Sequence, residues 1–106
     1  MRAIYYGDNG NFPYGSGKTK NELQKLTERI LDFFVKNNCK LVIVACNTAS
    51  TAAIDYLREK FSLPIIGIVE AGVKIASKNT KNKNIAVIST KFTAESLGYK
   101  NKAKML

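Results

Sequence analysis

The amino-acid sequence predicts an α/β protein, a parallel sheet with flanking helices, built as one domain over residues 1–106. Short β-branched apolar runs alternate with stretches of ten or more residues whose apolar positions recur at helical spacing, the pattern of βαβ crossovers. Capping and turn residues mark the boundaries, and 45% hydrophobic with 24% charged residues is the composition of a folded soluble chain. These observations predict a four-stranded sheet of the flavodoxin-like or Rossmann-like kind, helices on both faces and ligands beyond the carboxyl ends of its strands.

Arg2–Tyr6 reads as the first strand, followed by a Gly-, Asn- and Pro-rich loop from Gly7 to Lys18. Thr19-Lys20-Asn21-Glu22 is a capping box, in which Thr and Glu side chains satisfy free backbone N–H groups at a helix start. Behind it Leu23, Leu26, Ile30, Phe33 and Phe34 form an apolar face, and Asn37-Asn38 ends the helix. Lys40–Ala45 is an unbroken apolar run after its first residue, which predicts a strand buried on both faces. A helix from Thr48 to about Phe61 turns Ala49, Ala52, Ala53, Tyr56 and Leu57 inward. Pro64 stops it and introduces a strand over Ile65–Val69. A helix over Ala71–Lys78, a polar turn, a strand over Asn84–Ile88 and a helix from about Thr93 complete the pattern.

The net charge of +9 comes from 17 Lys and Arg against 8 Asp and Glu. The surplus is spread thinly among Asn and Thr at helix ends and turns, without the clustering and aromatic platforms of a nucleic-acid footprint. No nucleic-acid partner is expected. No apolar run reaches the ~18 residues of a membrane span, and the N-terminus lacks a signal-peptide pattern, so a cytoplasmic chain with no membrane association is expected. Histidine is absent, which removes histidine metal sites and Cys–His or Ser–His pairs from within these residues. The two cysteines make no disulfide framework and read as free thiols.

Cys39 lies in a polar turn and reads as a packing residue. Cys46 ends a strand and is followed by Asn47-Thr48-Ala49-Ser50, the polar opening of a helix. Free N–H groups and the helix dipole favour a thiolate there, and the same groups with the Asn47 and Thr48 side chains make an anion site. Plain helix capping by Asn47 and Thr48 is compatible with that function. The Gly7–Lys18 loop, Cys46-Asn47-Thr48 and Ser89–Thr93 should converge beyond the strand ends. Gly17-Lys18-Thr19 has the tail of a phosphate-binding loop. However, Phe12 stands where that motif needs a glycine, and Pro13 removes an N–H from the cradle.

Tyr6-Gly7-Asp8, Phe12-Pro13-Tyr14-Gly15, Val44–Ser50 and Pro64–Gly72 resemble, in content, order and spacing, the blocks of the glutamate racemases. Ile85–Tyr99 continues the resemblance, with Thr90, Thr93, Ser96 and Tyr99 at matching places. Cys-Asn-Thr-Ala alone fits aspartate and hydantoin racemases as well; the Pro-Tyr-Gly loop favours glutamate. The resemblance implies a cofactor-independent isomerase that interconverts L- and D-glutamate and supplies D-glutamate for peptidoglycan in a bacterial cytoplasm. Two cysteines on opposite faces of the substrate exchange its α-proton in that family. Cys46 matches one of them, while Tyr14, Gly15, Asn47, Thr48 and Thr93 match positions that hold the substrate.

Members of that family begin with a strand ending in Asp-Ser and carry a second domain with the other cysteine, followed by Thr-His. Neither feature occurs in these 106 residues, so the chain is expected to be a partial domain, truncated at both ends. Cys39 sits at the opposite end of the strand carrying Cys46, roughly 20 Å away at ~3.3 Å per residue, and cannot be the second thiol. An incomplete sheet exposes apolar surface, and self-association is expected from it. The competing readings from the residues are a non-catalytic anion-binding α/β module and a degenerate nucleotide-binding loop.

Overall fold

A computed structural model describes residues 1–105 of the chain. A 3-10 turn at Asn9–Asn11 precedes α1 (Lys20–Lys36), β1 (Val42–Val44), α2 (Asn47–Lys60), β2 (Ile65–Gly67), α3 (Ile68–Asn79), α4 (Lys91–Glu95) and α5 (Gly98–Lys104). The α/β class and its parallel pairing are as the sequence predicts. Val42, Ile43 and Val44 stand in register with Ile65, Ile66 and Gly67.

The capping box at α1 forms as read: Thr19 Oγ1 accepts from Glu22 N at 3.2 Å, and Glu22 Oε2 accepts from Thr19 N at 2.6 Å. The buried stripe of α1 is Leu23, Thr27 and Leu31; of the predicted face Leu23 is buried, Leu26, Ile30 and Phe34 are half-buried, and Phe33 is exposed. Thr27 is tolerated inside because its hydroxyl donates to the Leu23 and Gln24 carbonyls, at 2.8 and 3.0 Å. Leu31 joins Val42, Val44, Ala49, Ala53, Ile54, Leu57 and Ile65 in the core. The small side chains of Ala49 and Ala53 let α2 lie close to the two strands. Fully buried Leu57 contributes about 2 kcal/mol by leaving water.

The sheet is smaller than predicted. Two strands pair among the described residues, and neither Arg2–Tyr6 nor Asn84–Ile88 forms one. A strand exists only through a partner's ladder, and alternation of residue types cannot supply that partner. Tyr6 packs edge-on against Phe33 and Phe34 instead, with ring centroids 5.4 and 6.2 Å apart.

The prediction that β1 is buried on both faces also fails. Val42 and Val44 are buried, whereas Ile43 is 61% exposed and its ladder partner Ile66 is 42% exposed. One sheet face rests on the helices and the other is open. β2 ends at Gly67, opposite the last residue of β1, so α3 begins at Ile68 instead of Ala71. The single C-terminal helix is divided in two at Leu97, whose φ of 56° breaks helical geometry.

Two charged clusters tie the helices together. Arg58 of α2 donates to both carboxylate oxygens of Glu70 at 2.8 Å, and Lys102 of α5 donates to Glu70 Oε1 at 2.8 Å. Glu28 of α1 accepts from the Tyr56 hydroxyl at 2.5 Å and from Lys60 at 3.0 Å.

Candidate active site

β1 delivers the chain to the N-terminus of α2, where Cys46 is the cap residue in extended conformation and its Sγ accepts from Ala49 N at 3.5 Å. The thiol is exposed. This geometry follows from the local sequence: the β-branched strand ends at Val44, and the small and polar run after Cys46 admits a helix without crowding the thiol.

Thr48 lies in the first turn of α2 and is only 2% exposed, as is Thr93 of α4. Their hydroxyls meet that of Thr90, the α4 cap. Thr48 Oγ1 lies 2.9 Å from Thr90 Oγ1 and 3.4 Å from Thr93 Oγ1, and Thr90 donates to Thr93 at 3.2 Å. Three threonines from two distant segments thus form one hydroxyl cluster beside the cysteine-bearing turn.

The Gly7–Lys18 loop forms the third wall. A Cβ on Gly15 would lie 2.6 Å from Thr90 Cγ2 and 2.7 Å from Thr90 Cβ, so the loop backbone presses directly on the threonine cluster. Tyr14 is half-buried, and its hydroxyl donates to Asp8 Oδ2. Burial foremost, and then the Asp8 hydrogen bond and charge, push the Tyr14 phenol well above its ordinary value. Asn11 Nδ2 donates to the other Asp8 oxygen at 2.9 Å. Lys18 turns back to the Pro13 carbonyl at 2.8 Å, which is not the course of a lysine across a phosphate cradle.

The three segments read from the sequence as a convergence point do converge. Cys46, Asn47, Thr48, Tyr14, Gly15 and Thr93 all lie around the carboxyl ends of the strands, and Cys39 stands at the other end of β1. Three further residues join them that sequence reasoning does not pick out as site residues. Asp8 anchors Tyr14, Thr90 joins the loop to α2, and Tyr99 donates its hydroxyl to Asn47 Oδ1 at 2.6 Å. Asp8 and Thr90 lie in segments expected to converge and all three fall in the blocks that resemble the racemases, but only the Thr-x-x-Thr spacing of Thr90 and Thr93 carries a physical signal, that of a helix cap.

The arrangement defines a class: an α/β chain presenting one exposed thiol at a strand-to-helix turn, ringed by hydroxyl and amide donors. The chain belongs to the Asp/Glu/Hydantoin racemase family, whose model matches residues 2–106. It is 98% identical over 103 residues to a glutamate racemase of Fusobacterium nucleatum, covering 97% of this chain and 39% of that protein. The Aquifex pyrophilus glutamate racemase structure superposes with a TM-score of 0.91 at 34% identity, over 96% of this chain and 40% of that one. The Thermus thermophilus glutamate racemase, solved with β-chloro-D-alanine, gives 0.80 at 34% identity, over 91% and 36%. This chain therefore spans about two fifths of the length of the proteins it matches.

Proposed function

We propose that this chain carries one half of a glutamate racemase site, with Cys46 as the acid–base thiol on one face of the substrate. The observation that carries the reading is the exposed Cys46 thiol at the α2 N-terminus, with Asn47 and Thr48 in the turn that follows and Gly15 and Thr93 on the threonine cluster that Thr48 joins. Asn47 and the free N–H groups of α2 supply donors for an anionic amino acid, backed by the buried Thr48 and Thr93 hydroxyls, and no metal or organic cofactor is part of this reading.

In the step assigned to Cys46, the thiolate takes the α-proton. The S–H bond forms as the C–H bond breaks, and the electron pair stays on the α-carbon, spread into its carboxylate. A thiol on the opposite face then protonates that carbon. In this reading the second thiol comes from outside these 106 residues, on a further domain or another subunit, since Cys39 precedes β1 at the end opposite Cys46. The reading places the protein in a bacterial cytoplasm, where thiols stay reduced, supplying D-glutamate to peptidoglycan. Membrane insertion and nucleic acid have no part in it; among the described residues no helix is long and apolar enough to cross a membrane. The open Ile43 and Ile66 face supports self-association of this chain.

The test is Cys46 alkylation with and without glutamate, together with α-deuterium exchange in D₂O. Glutamate should slow alkylation of Cys46 and not of Cys39, and the chain alone should give no net racemisation. Alkylation indifferent to both glutamate enantiomers would leave a non-catalytic α/β module as the better reading.

A further inference from the structure

Tyr99 reaches Asn47 across 52 positions of sequence, and several features converge to place it there. The left-handed turn at Leu97 ends α4 and redirects the chain. Gly98 then approaches α2 so closely that a Cβ there would lie 2.6 Å from Thr51 Cγ2 and 3.0 Å from its Oγ1. Thr51 is one turn after Asn47, on the same side of α2, so docking Gly98 on Thr51 brings Tyr99 over Asn47. Lys102 holds the far end of α5 to Glu70 of α3. Tyr99 is partly buried and also sits over Gly72, where a Cβ would be in ordinary contact with its ring and hydroxyl at 3.9 Å.

An asparagine amide is an acceptor at one end and a donor at the other, and an anion discriminates sharply between them. A free Asn47 side chain samples both orientations before an anion arrives, and holding its NH₂ toward that anion then costs conformational entropy on binding. The Tyr99 hydroxyl donates at 2.6 Å to the oxygen, which leaves the NH₂ as the unengaged end among the described residues. We propose that Tyr99 is a positioning residue: it fixes the Asn47 amide in the one orientation that offers a donor to an anionic substrate. The inference rests on the reading of Asn47 as a glutamate-binding residue and adds to it the element that sets its polarity. α5 thereby contributes to the site without touching substrate.

The experiment uses the ¹⁵N-labelled 106-residue chain, with the Asn47 side-chain NH₂ resonances as the readout. In the unsubstituted chain Nδ2 should be rigid on the nanosecond timescale. Tyr99→Phe, with unchanged circular dichroism, should mobilise it and weaken L-glutamate binding about three- to tenfold, the worth of one hydrogen bond. Asn47→Asp keeps an acceptor for Tyr99 but presents a second oxygen to the ligand, and should abolish glutamate binding without loss of fold. Equal Nδ2 mobility in the Tyr99→Phe variant and the parent chain would overturn the proposal, as would contacts placing the NH₂ against the Tyr99 hydroxyl. If Tyr99→Phe mobilises Nδ2 but neither chain responds to glutamate, the orienting role stands and the substrate reading falls.

Discussion

Gly15 and Thr90 are in such close approach that no side chain fits between them: a Cβ at Gly15 would meet three atoms of the threonine side chain within 3.0 Å. Thr90 in turn is hydrogen-bonded to Thr48 and Thr93. The loop, the cysteine-bearing turn and α4 therefore share one contact, and a change at any of the three is felt at the others.

Gly15→Ala is accordingly expected to displace either the loop or Thr90, at a cost of about 1–3 kcal/mol for an overpacked contact. Urea denaturation measures it. Gly10→Ala, where nothing lies within 4 Å, should leave the midpoint within error and serves as the control.

The two thiols should differ in accessibility. Cys46 is exposed beside a helix N-terminus, while Cys39 is partly buried, so iodoacetamide followed by peptide mapping should label Cys46 first. Preferential labelling of Cys39 would contradict the placement of Cys46 at the mouth of the site.

Glu70 links α3 to α2 and α5, and it makes stability depend on acid. The Arg58 hydrogen bonds first, then Lys102, hold its carboxyl at about 2 against an ordinary value of 4.5. A depressed folded value means the contribution is complete above about pH 4.5 and is lost as pH falls through about 2. With solvent screening it amounts to about 1 kcal/mol. Glu70→Gln should lower the neutral-pH urea midpoint and flatten the pH profile between those limits. Some slope should persist, because Glu28, hydrogen-bonded to Tyr56 and Lys60, is also held at about 2.

The open sheet face should drive association. Ile43 and Ile66 are ladder partners and both project into solvent. Light scattering at micromolar concentration should report a dimer or larger species, and Ile43→Lys should shift it toward monomer by placing a charge in the apolar patch. A monodisperse monomer for the unsubstituted chain would rule this out.

Helix starts are legible in the sequence because their causes are local. Thr19 and Glu22 are three residues apart and cap α1 through their own side chains, and Cys46-Asn47-Thr48 reads as a strand-to-helix turn for the same reason. Strands are legible only as candidates. Val42–Val44 and Asn84–Ile88 have the same β-branched character, yet only the first finds a ladder. Apolar periodicity finds Leu23 and the core-facing Phe34 of α1 and misses Thr27, which enters the core by bonding its own backbone and so escapes a pattern of apolar types.

The α/β class, the thiol at the head of α2 and the segments that meet around it can all be read from residue order, since each rests on spacing within a few positions. Which strands pair, and which sheet face stays open, emerge only when the chain is folded. So do the pressure of Gly15 on Thr90 and the reach of Tyr99 back to Asn47, contacts between residues far apart in the chain. Their geometry is set by how helices and loops seat on one another in a close-packed interior, and no local pattern of residue types encodes it.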